Sequence, residues 1–304
     1  MQLASPSIGT GVLVTIISRS CSHKLSTMTS YFPPEWHTIG REAELAVAQT
    51  GSGITALGRA DHLHKGYYTQ AFFGLSIGLE RIAKLIIISD YAITNSGKFP
   101  SNDILRNVGH DIATLLAHCE PLSAKYRAGQ QYAERPNEEI HNGIIMTITE
   151  FGKLSRYYNL DLLTGGSAAS LPEPIEAWWQ RVGQPILSKH FSERQRERDH
   201  QRAAALDTVM SDKVSVLSHT ESTAPITNIE ELVLRAAATR VIQKYGRMYT
   251  LQIVRWLAYL ISDLARIGTS IVPGLFGLEE LFQIFRIPND RYFRDRTVWS
   301  LYPR

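Results

Sequence analysis

The stretch GYYTQAFFGLSIGLERIAKLIIISDYAITN, running from Gly66 to Asn95, carries Phe72, Leu75, Leu79, Ile82 and Ile86 at steps of three and four residues. That spacing lays one apolar stripe along a long helix and predicts an internal one. Ser101 to His118 repeats the pattern with Leu105, Val108, Ile112 and Leu115. Across the turn from Asn95 to Pro100, the two stripes are expected to close on each other as a helical hairpin.

Working outward toward the N-terminus, Pro34 followed by Glu35 and Trp36 suits a helix start. That helix is expected to run to about His62 and to kink where Gly51 and Gly53 share one turn. On the other side, Glu120-Pro121 is expected to end the second organising helix, because the residue before a proline is pushed out of the helical region. Asn137 is placed to cap a helix striped by Ile140, Ile144, Ile148, Phe151 and Leu154. Residues 35–165 therefore read as a helical bundle. The small, polar stretch 166–172 reads as a linker, and 173–304 as a second helical region. Within that region Ser192 with Gln195, and Thr227 with Glu230, form capping-box patterns, and Ile253, Leu257, Leu260, Leu264 and Ile267 stripe a further helix. No alternating strand of convincing length is present, so the expected fold class is all-α, with two cores sharing the 304 residues.

A hydrophobic share of 44% and a charged share of 20% belong to a chain that folds. Residues 1–34 contain no acid and are expected to be disordered, with 1–27 an extension upstream of a true start at Met28. The apolar run Val12 to Ile17 is far short of the roughly 20 residues that a membrane span needs. Two cysteines, Cys21 and Cys119, are too few for a disulfide framework or a thiolate zinc site, which points to a reducing cytoplasm without metal or cofactor. Cys119 reads as a small buried hydrophobe.

The opening motifs of common enzyme classes are missing: no glycine-rich phosphate loop, no His-Glu-x-x-His pair and no Gly-x-Ser-x-Gly elbow occurs. What remains is a set of basic neighbours. Arg106 and His110 lie four apart on the polar side of their expected helix. Arg135 and His141 flank the entry to the next one. Arg240, Lys244 and Arg247 line up along one helical face, with no acid between Glu231 and Asp263. Tyr245, Tyr249 and Trp256 interleave with them, a combination suited to gripping a phosphate backbone and stacking bases.

The run Phe73 to Leu85, together with Val108-Gly109-His110-Asp111-Ile112 and Ser155 to Asp161, resembles the helical bundles of the HEPN superfamily over about residues 35 to 165. The resemblance implies an up-and-down bundle that often dimerises and serves prokaryotic stress or defence systems, with RNA, an antitoxin or another protein as partner. Active members are metal-independent ribonucleases whose Arg and His, separated by four to six residues, meet across the dimer. Arg135 and His141 match that spacing, as do Arg59 with His64 and Arg194 with His200, and only Arg135 with His141 stands at a bundle-helix entry. Pro136 departs from the family pattern, which has a polar residue after the arginine. In that role His141 would act as general acid or base on a ribose hydroxyl and Arg135 would stabilise charge on the phosphate. The alternative is a non-catalytic module that dimerises or binds a partner protein.

Overall fold

Three glycines decide how closely the first two helices approach. In a computed structural model, which describes residues 32–166 and 170–301, α1 (Pro34–Leu57) and α2 (Gly66–Thr94) pack antiparallel. A Cβ placed at Gly74 would stand 2.8 Å from the Gly53 Cα, and one at Gly78 would stand 2.9 Å from the Thr50 nitrogen. The helix is not interrupted at Gly51 to Gly53. It is continuous through them, and its glycines serve close packing. Phe72, Leu75, Leu79, Ile82 and Ile86 are all fully buried, as the stripe demands.

The expected hairpin partner is split. Gly109, at φ +77°, ends α3 (Asn102–Val108), and Asp111 caps a new helix, α4 (Ile112–Arg127), accepting from the Thr114 amide at 2.8 Å. No residue of α3 is buried; it only carries the chain back along α2, bringing His110 to Glu80. From there α4 runs parallel to α2, with Cys119 near the Ala83 carbonyl and Lys125 on Asp90. Ile112, Leu115, Leu116 and Cys119 make the buried seam, while Leu105 and Val108 are only half-buried. Pro121 lies inside α4 rather than after it.

The chain continues through α5 (Glu139–Glu150), whose last turn widens into a π turn at Phe151–Ser155, and α6 (Tyr158–Thr164). Next come α7 (Pro174–Trp178), a second π turn at Trp179–Gly183, α8 (Gln184–His190) and α9 (Glu193–Met210). Ser192 caps α9 through the Gln195 amide, as expected, whereas α5 starts after Glu138 with no side-chain cap from Asn137. A two-residue ribbon pairs β1 (Ser218–His219) with β2 (Pro225–Ile226).

The two helices expected around Tyr245 and Ile253 are one: α10 (Ile229–Gly268), 40 residues capped by Asn228 rather than Thr227. At 1.5 Å per residue it spans about 60 Å. Gly246 does not break it, because the Trp178 ring covers that position at 3.4 Å from where a Cβ would lie. Short helices α11 (Leu278–Leu281) and α12 (Asp290–Asp295) close the fold against it. One continuous core runs from Ile39 to Trp299 with α10 through its middle, so the stretch 166–172 joins two parts of one core rather than two cored domains. The all-α class stands. Residues 1–31, with Cys21, and 167–169 of the expected linker lie outside the described residues. Among the described residues no helix is long and apolar enough to cross a membrane.

Candidate nucleic-acid interface

Arg135 and His141 are neighbours in sequence and part in space. The Arg135 guanidinium pairs with Glu120 and lines a groove of about 400 Å³ together with Asn137. His141 lies one turn inside the molecule, 3% exposed, against α10. Its Nε2 is 2.7 Å from the Gln252 Oε1, and Gln252 in turn donates to Asp290 Oδ2 at 3.0 Å. Since the amide nitrogen of Gln252 faces a carboxylate, its oxygen must accept, which fixes the His141 proton on Nε2 and leaves Nδ1 bare and buried. Burial pushes the His141 pKa below the ordinary imidazole value, against the opposing pull of the Gln252 bond and Glu138. His141 is thus neither a solvated surface residue nor a group open to a ribose hydroxyl in this chain.

The network goes on. Asp290 pairs with Arg255 at 2.8 Å, and Arg255 also donates to the carbonyls of Ile287 and Pro288 and stacks over Tyr132 at 4.0 Å. These interactions tie α5, α10, the loop before α5 and the start of α12 into one polar seam.

Arg106 and His110 do not share a helix, since Gly109 separates them. Both are exposed, and His110 sits 2.7 Å from Glu80. Burial raises the Glu80 pKa, but hydrogen bonds from Lys84 and His110 outweigh it and hold the carboxyl below its usual range. This is a surface triad with its charges paired.

The basic face of α10 divides. Arg247 is 3% exposed and donates to the Arg294 carbonyl at 2.7 Å, and Tyr249 and Trp256 are buried with it. Arg240 and Lys244 are exposed one turn apart, and neither has an ion-pair partner among the described residues. Beside Lys244, Tyr245 is half-buried and stacks on His190 with ring centroids 3.7 Å apart and planes 8° off parallel. The His190 Nε2 meets the Tyr249 hydroxyl at 2.9 Å, which sets the ring's plane. Burial, seconded by Lys189, lowers the His190 pKa. Arg294 stands 6.0 Å from the Tyr245 ring and is held charged by Asp295.

Arg240, Lys244 and Tyr245 thus remain of the sequence-based face, and Arg247, Tyr249 and Trp256 leave it. His190 and Arg294 were missed, and no local signal marks them, because their relation to Tyr245 exists only once α8 and α12 pack on α10. Two unpaired cations, a flat ring pair and a third cation can hold phosphates and stack a base. Among the described residues no cluster of three or more His, Cys, Asp or Glu could hold a metal ion. No family model, curated protein or solved structure matches this chain.

Proposed function

We propose that the protein binds single-stranded RNA on the face formed by Arg240, Lys244, Tyr245 and His190, and that Arg135 and His141 do not cut it. The observation that carries this reading is the parallel His190–Tyr245 ring pair, with exposed Lys244, next to Tyr245 in sequence, lacking an ion-pair partner among the described residues. Base stacking on such a ring contributes about 1–3 kcal/mol per base whatever the sequence. The HEPN resemblance supports the same ligand class, and with it a place in prokaryotic stress or defence. The wide separation of environments at Arg135 and His141 argues against cleavage by that pair.

The test is fluorescence anisotropy of a short labelled single-stranded RNA in rising KCl. Binding is expected at low salt and should weaken steeply as salt rises. Arg240→Ala with Lys244→Ala should lower the salt slope by roughly 0.7 for each phosphate that is no longer neutralised. Tyr245→Ala should weaken binding at every salt concentration. RNA incubated with the protein in EDTA should stay intact. Absence of binding at low salt, or an unaffected double variant, would sink the RNA reading. Cleavage lost in His141→Gln would restore catalysis.

One observation favours the interaction-module reading. Leu154, Tyr157, Leu160 and Leu163 recur every third residue around α6 and are 51%, 64%, 59% and 83% exposed. Single exposed leucines are ordinary, but a row of them fits the covered face of a homodimer. Light scattering decides it: a dimer turned monomeric by Leu160→Glu supports that reading, and a monomeric wild-type chain removes it.

A further inference from the structure

A cavity of about 730 Å³ opens between α8, α9, the first turns of α10 and the β1–β2 ribbon, within the size range of small-molecule sites. Its walls are largely apolar, with Trp179, Leu187, Phe191 and Leu234 facing it. Two arginines reach the same space. Arg235 is already neutralised: its Nε donates to Glu221 at 2.6 Å, and its guanidinium lies 3.3 Å over the Trp179 ring. Glu221 is 1% exposed, at the tip of the ribbon, and Lys65 donates to the neighbouring Thr220 carbonyl at 2.8 Å. The ribbon is therefore latched in place as a fixed wall.

Arg196 is different. Its Nε donates to the Phe191 carbonyl and its Nη2 to the Leu187 carbonyl, each at 3.0 Å, and its plane lies over the Phe191 ring. Those bonds hold the guanidinium rigid without cancelling its charge. No acid pairs with it among the described residues, and Nη1 is left without a protein partner. Negative charge stands by the same cavity: Glu231 lines the wall, and His200, one turn from Arg196 on α9, comes within 3.8 Å of Glu230.

We infer that this cavity is a binding site for an amphipathic monocarboxylate, its carboxylate on Arg196 and its apolar body against Trp179, Phe191 and Leu234. A preset guanidinium with one open edge suits a single carboxylate. Glu231 on the cavity wall repels a second anionic group, so dicarboxylates and phosphate esters bearing a second charge are disfavoured. The site is separate from the RNA face and stands or falls without it.

The experiment is isothermal titration of the full chain with two probes, naphthoate and decanoate, beside naphthamide and naphthalene dicarboxylate. At least one monocarboxylate should bind saturably with one site per chain. Loss of the charge-assisted bond should weaken it at least about tenfold in Arg196→Gln, and the neutral amide should bind the wild type more weakly by a similar factor. Leu234→Trp fills the space and should abolish binding while far-UV circular dichroism remains that of the wild type. Arg235 and Glu221 hold the wall together, so the test leaves them unchanged. Absence of saturable binding by both monocarboxylates, or equal binding by wild type, Arg196→Gln and Leu234→Trp, would overturn the assignment, as would a dicarboxylate that binds as tightly as naphthoate.

Discussion

The two halves of α10 carry similar side chains to opposite ends. From the midpoint toward the C-terminal half, Arg247 and Arg255 are buried and spend their donors on carbonyls of Gly58, Arg294, Ile287 and Pro288. Arg127 reaches the same half from α4 and pairs with Asp263 while donating to the Gln131 carbonyl at 2.6 Å. In the N-terminal half, Arg240 and Lys244 meet solvent, and the packing beside them leaves a cavity. What separates the halves is their surroundings. Burial among inward-turned carbonyls consumes Arg247 and Arg255, Glu221 neutralises Arg235, and where neither happens the charge stays available for a ligand.

The comparison breaks most sharply at Arg127. With its side chain 3% exposed and Asp263 at 13%, Arg127→Met leaves a largely buried carboxylate with only the exposed Arg266 as its cation. Thermal and urea unfolding should show a loss of about 3–5 kcal/mol, largely recovered when Asp263→Leu is added. A loss under about 1 kcal/mol would mean that this pair is no more structural than a surface one, and that the contrast between the halves is false.

Buried histidines give a second, smaller effect with a definite sign. Burial lowers the pKa of His62, His141 and His190. The unfolded chain therefore takes up protons first, near the ordinary value of about 6.5. Stability from these groups is complete above that value and is lost as pH falls through it toward the folded pKa values. The unfolding midpoint should drop between about pH 7.5 and about pH 5.5. His62 has no hydrogen-bond partner on either ring nitrogen among the described residues, so His62→Phe should flatten the drop without orphaning another group. A midpoint that ignores pH in this window would show that these rings are hydrated in solution.

These contrasts explain what could be read from the chain beforehand. The stripe from Phe72 to Ile86 was legible because every partner it needs is simply apolar. The Ser192 cap was legible because its bond closes within three residues. The split at Gly109 needed a positive φ that the sequence permits but does not demand. The unity of α10 depended on Trp178 covering Gly246, from 68 positions away in sequence. The candidate site suffered most. His141 looks like a helix-entry imidazole until Gln252, 111 residues on, claims its proton. Arg240 and Arg247 are indistinguishable by spacing and charge, and only the arrival of Gly58 and Arg294 at the second tells them apart.

The smallest expected effect on stability is therefore the most discriminating. Arg240→Ala and Lys244→Ala remove exposed side chains that no ion pair or hydrogen bond engages among the described residues, so each should change the unfolding free energy by no more than about 0.5 kcal/mol. Arg247→Ala, one turn further along the same face, deletes a buried guanidinium and strands the Arg294 carbonyl, which should cost about 1–3 kcal/mol. Chemical denaturation of the three variants side by side measures the difference directly. Equal losses would mean that Arg240 and Lys244 are also held by the fold, which would leave the ring pair at His190 without free cations beside it. A silent pair next to a costly Arg247, with RNA affinity falling only in the silent pair, would locate the boundary between the structural and available parts of this helix within one turn.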